Sequence, residues 1–420
     1  MTTDVLIQYI AAAIFGLAVL HTFSTKFFIS LAHKSQHHAG LWHLLGEVEV
    51  VFGFWAFVLV AVMALLLNQK DAIHYLEAQN FTEPLFVFAI LVVAGTRPVL
   101  WAVQAFVSRI ARALPLNTQL ASYFLCLSLV PLLGSFITEP AAMTLAALML
   151  RDRFYSQAIS ERMKYLTLGV LFVNISIGGT LTSFAAPPVL MVAEKWGWDS
   201  AFMMQMFGWK ATCAVVLNAL LLSLFFRKEL TALKVPEPTQ ADKSVPFSVV
   251  VIHFIFLAAT VLFAHYPVVF LGLFLFFLGF TEAYKQYQDR LMLREGLLVA
   301  FFLAGLVVLG GKQAWWLQPL LAGMDNAVLF FGATALTALT DNAALTYLGS
   351  LVVGLPDAAK YALVSGAVTG GGLTVIANAP NPAGFAILKD SFNEKAISPL
   401  GLIAAAAIPT AIASLFLHFV

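Results

Sequence analysis

Long apolar segments separated by short polar ones follow one another along nearly the whole chain. Most of them reach about 20 residues, the length with which an α-helix crosses the hydrocarbon core of a bilayer. The pattern therefore predicts an all-α polytopic membrane protein. The apolar segments lie at 5–31, 46–67, 83–107, 119–150, 165–193, 201–226, 247–264, 268–281, 296–309, 319–353, 358–388 and 398–420.

Two of these segments, at about 119–150 and about 319–353, are too long for one span and are broken by polar residues near their middle. A re-entrant helical hairpin, which enters and leaves on the same side of the membrane, fits such a segment. Two others, at about 165–193 and about 358–388, contain glycines and prolines that unwind a helix and stop it from closing again. We expect about ten spans, two re-entrant hairpins and two Gly-interrupted helices.

The distribution of lysine and arginine predicts the orientation of the spans. Cytoplasmic loops of membrane proteins carry an excess of these residues. When the loops on both sides of the first hairpin are placed inside, most of the 23 basic residues fall on the inner side. In this arrangement the first hairpin enters from inside, the second enters from outside, and both termini lie in the periplasm of a bacterial inner membrane.

Composition narrows the class of protein further. Of the 420 residues, 61% are hydrophobic and 11% are charged, and the formal net charge is +1. Soluble domains carry about 25% charged residues, so a water-soluble enzyme is excluded. There is no basic excess to attract nucleic acid. Cys126 and Cys213 lie in apolar segments, which is typical of small buried side chains and not of a disulfide framework.

Two short motifs each occur twice in the chain. The hairpin centres read TEPAAMT at 138–144 and TDNAALT at 340–346, and the later motifs read GGTLT at 178–182 and GGGLT at 370–374. The recurrence in the same order divides the chain into a first repeat at 1–234, a cytoplasmic linker at 235–246 and a second repeat at 247–420. Each repeat contains five full spans, so the second repeat is inverted. Paired broken helices in inverted repeats indicate a secondary transporter with a site near the midplane.

Glu139 and Asp341 stand at equivalent hairpin tips and are the central candidates for ion binding. A carboxylate at membrane depth is costly unless it is paired, protonated or facing a cavity. Hard cations such as sodium take several oxygen ligands, and carboxylate, hydroxyl and unwound carbonyl groups supply them. Burial also favours the neutral carboxylic acid, so that a proton and a cation compete for one site. The alternative is that these acids only cap half-helices.

The remaining candidates are polar or glycine residues at the tips and in the glycine-rich loops, where unwound backbone and side-chain oxygens face the acids. The candidate ion- and proton-binding residues are Thr138, Glu139, Gly178, Gly179, Thr180, Thr182, Thr340, Asp341, Asn342, Gly371, Gly372, Thr374, Asn378 and Asn381, with Glu139 and Asp341 as sodium ligands.

Other charged or titratable residues in or near the spans have weaker assignments. Arg97 lies within a span, either as a charge partner of a site acid or substrate anion, or in a structural ion pair. Glu47 and Glu49 open the second span, close to four histidines between His33 and His43. These histidines are irregularly spaced, which favours a solvated linker over a metal site.

The four motifs resemble those of the ion transporter superfamily, which includes arsenite permeases, sodium/proton antiporters and divalent-anion/sodium symporters. Residues 136–140 resemble the first hairpin tip, residues 177–188 the first glycine-rich loop, residues 340–342 an Asp-Asn second tip and residues 371–382 the second loop. Acids stand here where the anion symporters have neutral tip residues, so the chain is most similar to the sodium/proton antiporter branch. The resemblance implies a homodimer in which a mobile transport domain moves as an elevator against a scaffold domain.

These observations favour an antiporter that exchanges sodium, a monovalent cation, for protons in the lipid bilayer, without a cofactor and without enzymatic activity. The alternative is a sodium- or proton-coupled transporter of an organic anion or oxyanion, with Arg97 opposite the substrate. A channel or scaffold would not need acids at both tips. The spans contain no metal-spaced His/Cys set and no Ser-His-acid arrangement that would indicate a membrane enzyme.

Overall fold

The computed structural model describes residues 3–35, 37–234, 244–393 and 397–420, and the predicted linker at 235–246 lies largely outside them. The structure is 80% helical, and the described residues form no strand. The all-α prediction is therefore confirmed. The physical reason is that a bilayer core contains no water, and a helix satisfies its backbone hydrogen bonds within itself.

The first half of the chain forms fifteen described α-helices. They are α1 Thr3–Phe23, α2 Thr25–Lys34, α3 Ala39–Leu45, α4 Val48–Leu66, α5 Gln69–Glu77, α6 Thr82–Ala94, α7 Arg97–Ala113, α8 Thr118–Leu127, α9 Leu129–Ile137, α10 Glu139–Leu150, α11 Glu161–Gly178, α12 Pro187–Trp196, α13 Ser200–Met203, α14 Trp209–Phe225 and α15 Arg227–Ala232.

The second half adds nine more among the described residues. They are α16 Phe247–Leu262, α17 Pro267–Ala283, α18 Leu293–Gly310, α19 Ala314–Leu321, α20 Asn326–Thr337, α21 Asn342–Ser350, α22 Asp357–Gly370, α23 Asn381–Leu388 and α24 Pro399–Ser414.

Six helices of the described chain are long and apolar enough to cross a membrane, and there are eight candidate spans if each of two bent pairs is one span. The six are Thr3–Phe23, Val48–Leu66, Glu161–Leu181, Ser200–Phe225, Leu293–Gly310 and Pro399–Phe419, and the bent pairs are α5 with α6 and α8 with α9. A polytopic membrane protein is thus confirmed, and the count of ten spans stays a prediction.

The outer surface of the helix bundle is apolar. Leu65, Phe247 and Val268 are each more than 80% exposed. Such side chains on a water-soluble monomer would form aggregating patches, whereas against lipid they cost nothing. The centre of the bundle is helix α11, because 83% of its most apolar stretch is buried, compared with 39% for α1.

The helices pack as two sets. In the first helix set, α18 packs along α4 and α6, with α1, α16 and α17 around them. A Cβ at Gly305 of α18 would lie 2.6 Å from Cα of Gly53 in α4, so the two helices approach closely at a point where each has a glycine. The second helix set comprises α8 to α12, α14 and α20 to α24.

Helix breaks fall within all four segments that the sequence predicted to be hairpins or broken helices. The chain turns at Thr138 between α9 and α10, and at residues 338–341 between α20 and α21. It unwinds at 182–186 before α12, and at 371–380 before α23. The predicted hairpin at 319–353 also takes in the end of α19, which is a separate short helix.

The two halves of the chain interlock at these breaks. Helix α12, which follows the first unwound loop, packs against α21 of the second hairpin. Helix α23, which follows the second unwound loop, packs against α10 of the first hairpin. Each half therefore packs its helix after the loop against the hairpin of the other half, as a site built from two repeats requires; the inverted relation of the repeats stays a prediction.

Candidate functional site

The first hairpin tip is formed by a backbone reversal at Thr138. This threonine has φ 72°, and it is the one residue other than glycine with positive φ in the described parts of the chain. Pro140 follows in the first turn of α10, where its fixed φ suits a helix start. The reversal places Glu139 at the first position of α10, where its side chain is wholly buried.

Few groups contact the Glu139 carboxylate. Its Oε2 accepts a hydrogen bond from Nδ2 of Asn378 at 2.9 Å, across 239 residues of chain. Its Oε1 has no hydrogen-bond partner. Gly179 lies directly beside it, since a Cβ at Gly179 would stand 2.6 Å from Glu139 Cγ. The first loop thus leaves room for the acid, and the second loop supplies its hydrogen bond.

Asp341 at the second tip has a different setting. It is the N-cap residue of α21, where its Oδ1 accepts hydrogen bonds from the backbone N–H of Ala343 at 2.8 Å and Ala344 at 3.3 Å. The capping interpretation therefore accounts for one oxygen of Asp341. It does not account for Glu139, because no side chain caps α10. Asp341 is partly exposed, whereas Glu139 is wholly buried.

Unpartnered polar atoms cluster around the two tips. Buried polar side-chain atoms nearly always have a hydrogen-bond partner. Five of the sequence-predicted site residues nevertheless each carry at least one buried side-chain atom without one. These atoms are Thr138 Oγ1, Glu139 Oε1, Asn342 Oδ1 and Nδ2, Asn378 Oδ1 and Asn381 Oδ1.

Two serines that the sequence interpretation did not include hold the first loop in place. Ser135 Oγ donates to the Gly178 carbonyl at 2.7 Å and accepts from the Leu181 N–H at 2.9 Å. Its carbonyl accepts from Thr182 Oγ1 at 2.5 Å. Ser176 Oγ donates to the Val368 carbonyl at 2.7 Å, which ties the first broken helix to the second. Neither serine lies in a recurring motif, so no sequence signal distinguishes them.

The second loop is held by amide and hydroxyl groups of the predicted residues themselves. Asn381 Nδ2 donates to the carbonyls of Gly371 at 2.7 Å and Thr374 at 2.8 Å. Thr374 Oγ1 donates to the Ala338 carbonyl at 3.0 Å and so fastens the loop to the tip. A Cβ at Gly371 would lie 2.9 Å from Asn342 Nδ2. Loop and tip are therefore in contact at this end too.

Three further predicted residues have hydrogen-bond or packing partners other than the site acids. Thr180 Oγ1 donates to the Ile177 carbonyl at 2.7 Å, and Thr340 Oγ1 donates to the Leu336 carbonyl at 3.0 Å. Gly372 packs on α11, where a Cβ would lie 2.5 Å from Cα of Val173. Each hydroxyl oxygen still has a lone pair that can accept a hydrogen bond or a cation.

A cavity of about 630 Å³ leads to the second tip. We call it the acidic cavity, because the described lining residues include three carboxylates and neither lysine nor arginine. Its apolar wall includes Phe302 of α18. Its polar lining residues are Thr25, Glu47, Glu49, Asp341, Thr374 and Asn378. A smaller cavity of about 120 Å³ also reaches Asp341 and adds Thr340.

Glu49 is a residue of this site that sequence reasoning missed. It was assigned with Glu47 to the start of the second span, and only the packing of α4 brings it to the cavity that Asp341 lines. Arg97 lines neither cavity that reaches Asp341, and its guanidinium Nη1 lies 3.7 Å from Asp289 Oδ1. Among the residues that the structure describes, no group of three or more His, Cys, Asp or Glu side chains could hold a metal ion.

The chain matches the model of a family described as "Putative Na+/H+ antiporter" over residues 6–420, nearly its whole length. It belongs to this family. No curated protein matches the chain. The family membership confirms the resemblance that the four motifs indicated. It supports a membrane transporter that handles sodium and protons, and a transporter is not an enzyme class.

Proposed function

We propose that this protein is a sodium/proton antiporter in which Glu139 and Asp341 bind sodium or protons alternately. The observation that carries the proposal is the setting of Glu139. Its carboxylate is wholly buried, accepts one hydrogen bond from a neutral amide and has a second oxygen without a partner. A buried charge in such a place is strongly destabilising unless it is neutralised. A proton or a sodium ion provides the neutralisation, and one excludes the other.

The donor set around Glu139 suits a hard monovalent cation. Sodium, like other hard cations, prefers oxygen ligands. Thr138, Asn378 and Glu139 itself each have a buried side-chain oxygen without a partner, Thr138 precedes Glu139 in the chain, and Asn378 donates a hydrogen bond to Glu139. Asp341 adds a second carboxylate, because it lines the same cavity as Asn378, which donates a hydrogen bond to Glu139. These oxygens would replace part of the hydration shell of the ion.

The proposed architecture has about ten spans and two re-entrant hairpins in two inverted repeats, at 1–234 and 247–420. The acidic cavity is lined by both helix sets, with Glu49 and Phe302 from the first set and Asp341 and Asn378 from the second. If the second helix set moves as an elevator against the first, the site closes to one side and opens to the other. We place the protein in a bacterial inner membrane as a homodimer with periplasmic termini.

The experiment is exchange measured in proteoliposomes that contain a trapped pH-sensitive dye. An imposed sodium gradient should drive protons across the membrane with the unchanged protein, and not with the double variant Glu139→Gln and Asp341→Asn. Glu282→Gln is the matched control, because its carboxylate is exposed and forms an ion pair with Lys285 on the surface. Wild-type exchange by the double variant would contradict the proposal.

An anion transporter is less well supported, because the acidic cavity offers an anion three carboxylates and, among its described lining residues, no lysine or arginine. The same proteoliposomes test it with a labelled dicarboxylate. Sodium-dependent uptake that disappears in Arg97→Ala would favour this alternative over antiport.

A further inference from the structure

Glu49 lines the acidic cavity together with Asp341 of the second hairpin tip. It is the second residue of α4, which packs against α1 and α18 in the first helix set. Asp341 and Asn378 reach the same cavity from the second helix set. The cavity therefore brings together carboxylates from two bodies of the protein that share no sequence motif.

The Glu49 carboxylate has no ion pair and no hydrogen bond from another residue in the described chain. Its neighbour Glu47 differs, because Glu47 forms an ion pair with Arg294. Glu49 and Asp341 line the same cavity. Two carboxylates that line one cavity attract a cation into it.

Asn378 provides an independent observation that points to a ligand in the same place. Its side chain is wholly buried and lines the acidic cavity. Its Nδ2 donates to Glu139, while its Oδ1 has no partner. One amide thus connects the cavity with the buried acid, and it leaves an oxygen of the kind that a sodium ion binds.

We propose that Glu49, Asp341 and the side-chain oxygen Oδ1 of Asn378 form a cation site in the acidic cavity. A monovalent cation binds at this site before or after it binds at Glu139. This inference rests on the proposed function and adds a second cation-binding site to the proposed transport pathway. The site draws the cation out of water to within reach of Glu139. Glu49 and Asp341 belong to different helix sets. The elevator motion proposed above would therefore bring the ligands of this site together and move them apart in each transport cycle.

An acid in the first turn of a helix also stabilises that helix through its dipole. Glu295 is a matched residue for that role. It stands in the first turn of α18, is partly buried, has an unpartnered carboxylate oxygen and does not line the acidic cavity. Loss of a first-turn carboxylate affects Glu49→Gln and Glu295→Gln alike, whereas loss of a cation ligand affects only the former.

The experiment measures binding of radiolabelled sodium to the purified full-length protein, together with its apparent Tm. Glu49→Gln should raise the sodium concentration for half-saturation about tenfold, a loss of about 1.4 kcal/mol of binding free energy. Glu49→Asp keeps the charge on a shorter side chain, and its half-saturation should stay within about threefold of the unchanged protein. Glu295→Gln should leave sodium binding unchanged.

Equal half-saturation in Glu49→Gln and the unchanged protein, or equal shifts in Glu49→Gln and Glu295→Gln, would overturn the Glu49 site. Binding is read separately from exchange so that the two proposals can fail separately. If sodium binds with the expected dependence on Glu49 but drives no protons in proteoliposomes, the antiport proposal is wrong and the cation site stands. If the unchanged protein binds no sodium, both are wrong.

Discussion

At the scale of single residues, Thr138 carries backbone strain at the place where Glu139 is positioned. A β-branched residue at φ 72° is unfavourable, by about 1–3 kcal/mol. Such strain persists only where the surrounding structure enforces it, and it clusters at functional sites. Here the strained conformation turns the chain so that Glu139 begins α10 beside Gly179.

We predict that Thr138→Gly raises the apparent Tm while it lowers sodium/proton exchange. Glycine adopts positive φ without strain, and the relief of about 2 kcal/mol exceeds the roughly 1 kcal/mol that glycine costs through unfolded-chain entropy. Exchange falls because the Thr138 hydroxyl is lost. The measurements are thermal unfolding in detergent and proteoliposome exchange.

Thr340→Gly is the control, because Thr340 is the equivalent residue of the second tip and has no positive φ. It should lower the apparent Tm. Shifts of the same sign in both variants would contradict the assignment of strain to Thr138.

At the scale of elements, the two tips use their acids differently although their sequences match. Asp341 caps α21, whereas Glu139 stands inside α10 and caps nothing. The recurring motif predicted equivalent positions. The two unwound loops follow from the local glycine and proline content, whereas the two tips fall at polar residues within apolar segments. The motif does not predict the backbone conformation of the residue before the acid. Thr138 before Glu139 has positive φ, whereas Thr340 before Asp341 does not. We infer that this difference directs the acid side chain either back to its own helix or away from it.

Substitutions at Asp341 separate its cap from its charge. We expect Asp341→Asn to keep the apparent Tm within about 2 °C, because asparagine and aspartate are equally good N-caps, and Asp341→Ala to cost about 1 kcal/mol of stability. Both should lose exchange, since both remove the carboxylate. Thermal unfolding and proteoliposome exchange of the two variants provide the check. Exchange retained in Asp341→Asn and lost in Asp341→Ala would assign to Asp341 a capping role alone.

At the scale of the whole molecule, the acidic cavity lies where the two helix sets meet. The elevator proposal requires these sets to move relative to each other during transport. Val48 of α4 and Ile376 of the second loop line both cavities that reach Asp341, and they come from opposite sets. A covalent link between them would therefore hold the sets together.

We predict that Val48→Cys with Ile376→Cys, joined by a short reducible thiol cross-linker, loses exchange at least tenfold and recovers on reduction. The variant is made with Cys126 and Cys213 replaced by alanine. The control pair is Phe88→Cys with Gly296→Cys, which joins α6 to α18 within one set, where a Cβ at Gly296 lies 3.3 Å from the Phe88 ring. The control should tolerate its link. Equal exchange in both linked proteins would contradict relative motion of the sets.

The sequence by itself determined the class of protein, the helix breaks and the two acids. These features are local. A run of apolar residues predicts a span, a glycine pair predicts a helix break, and a carboxylate in an apolar segment predicts a buried acid, each from a short stretch of sequence. It also identified five residues that the structure shows with unpartnered buried atoms. Thr138, Glu139 and Asn342 lie in a motif that occurs twice, and Asn378 and Asn381 follow the second glycine motif.

Only the tertiary structure decided which groups meet. It brings the Asn378 amide to Glu139 across 239 residues, the Ser176 hydroxyl to Val368 and the Glu49 carboxylate to the cavity of Asp341. Local patterns contain no information on such pairings, because helices of this bundle can pack in many arrangements that bury the same apolar faces. The close approach of α12 to α21 and of α23 to α10 selects the one that joins tips and loops into a site.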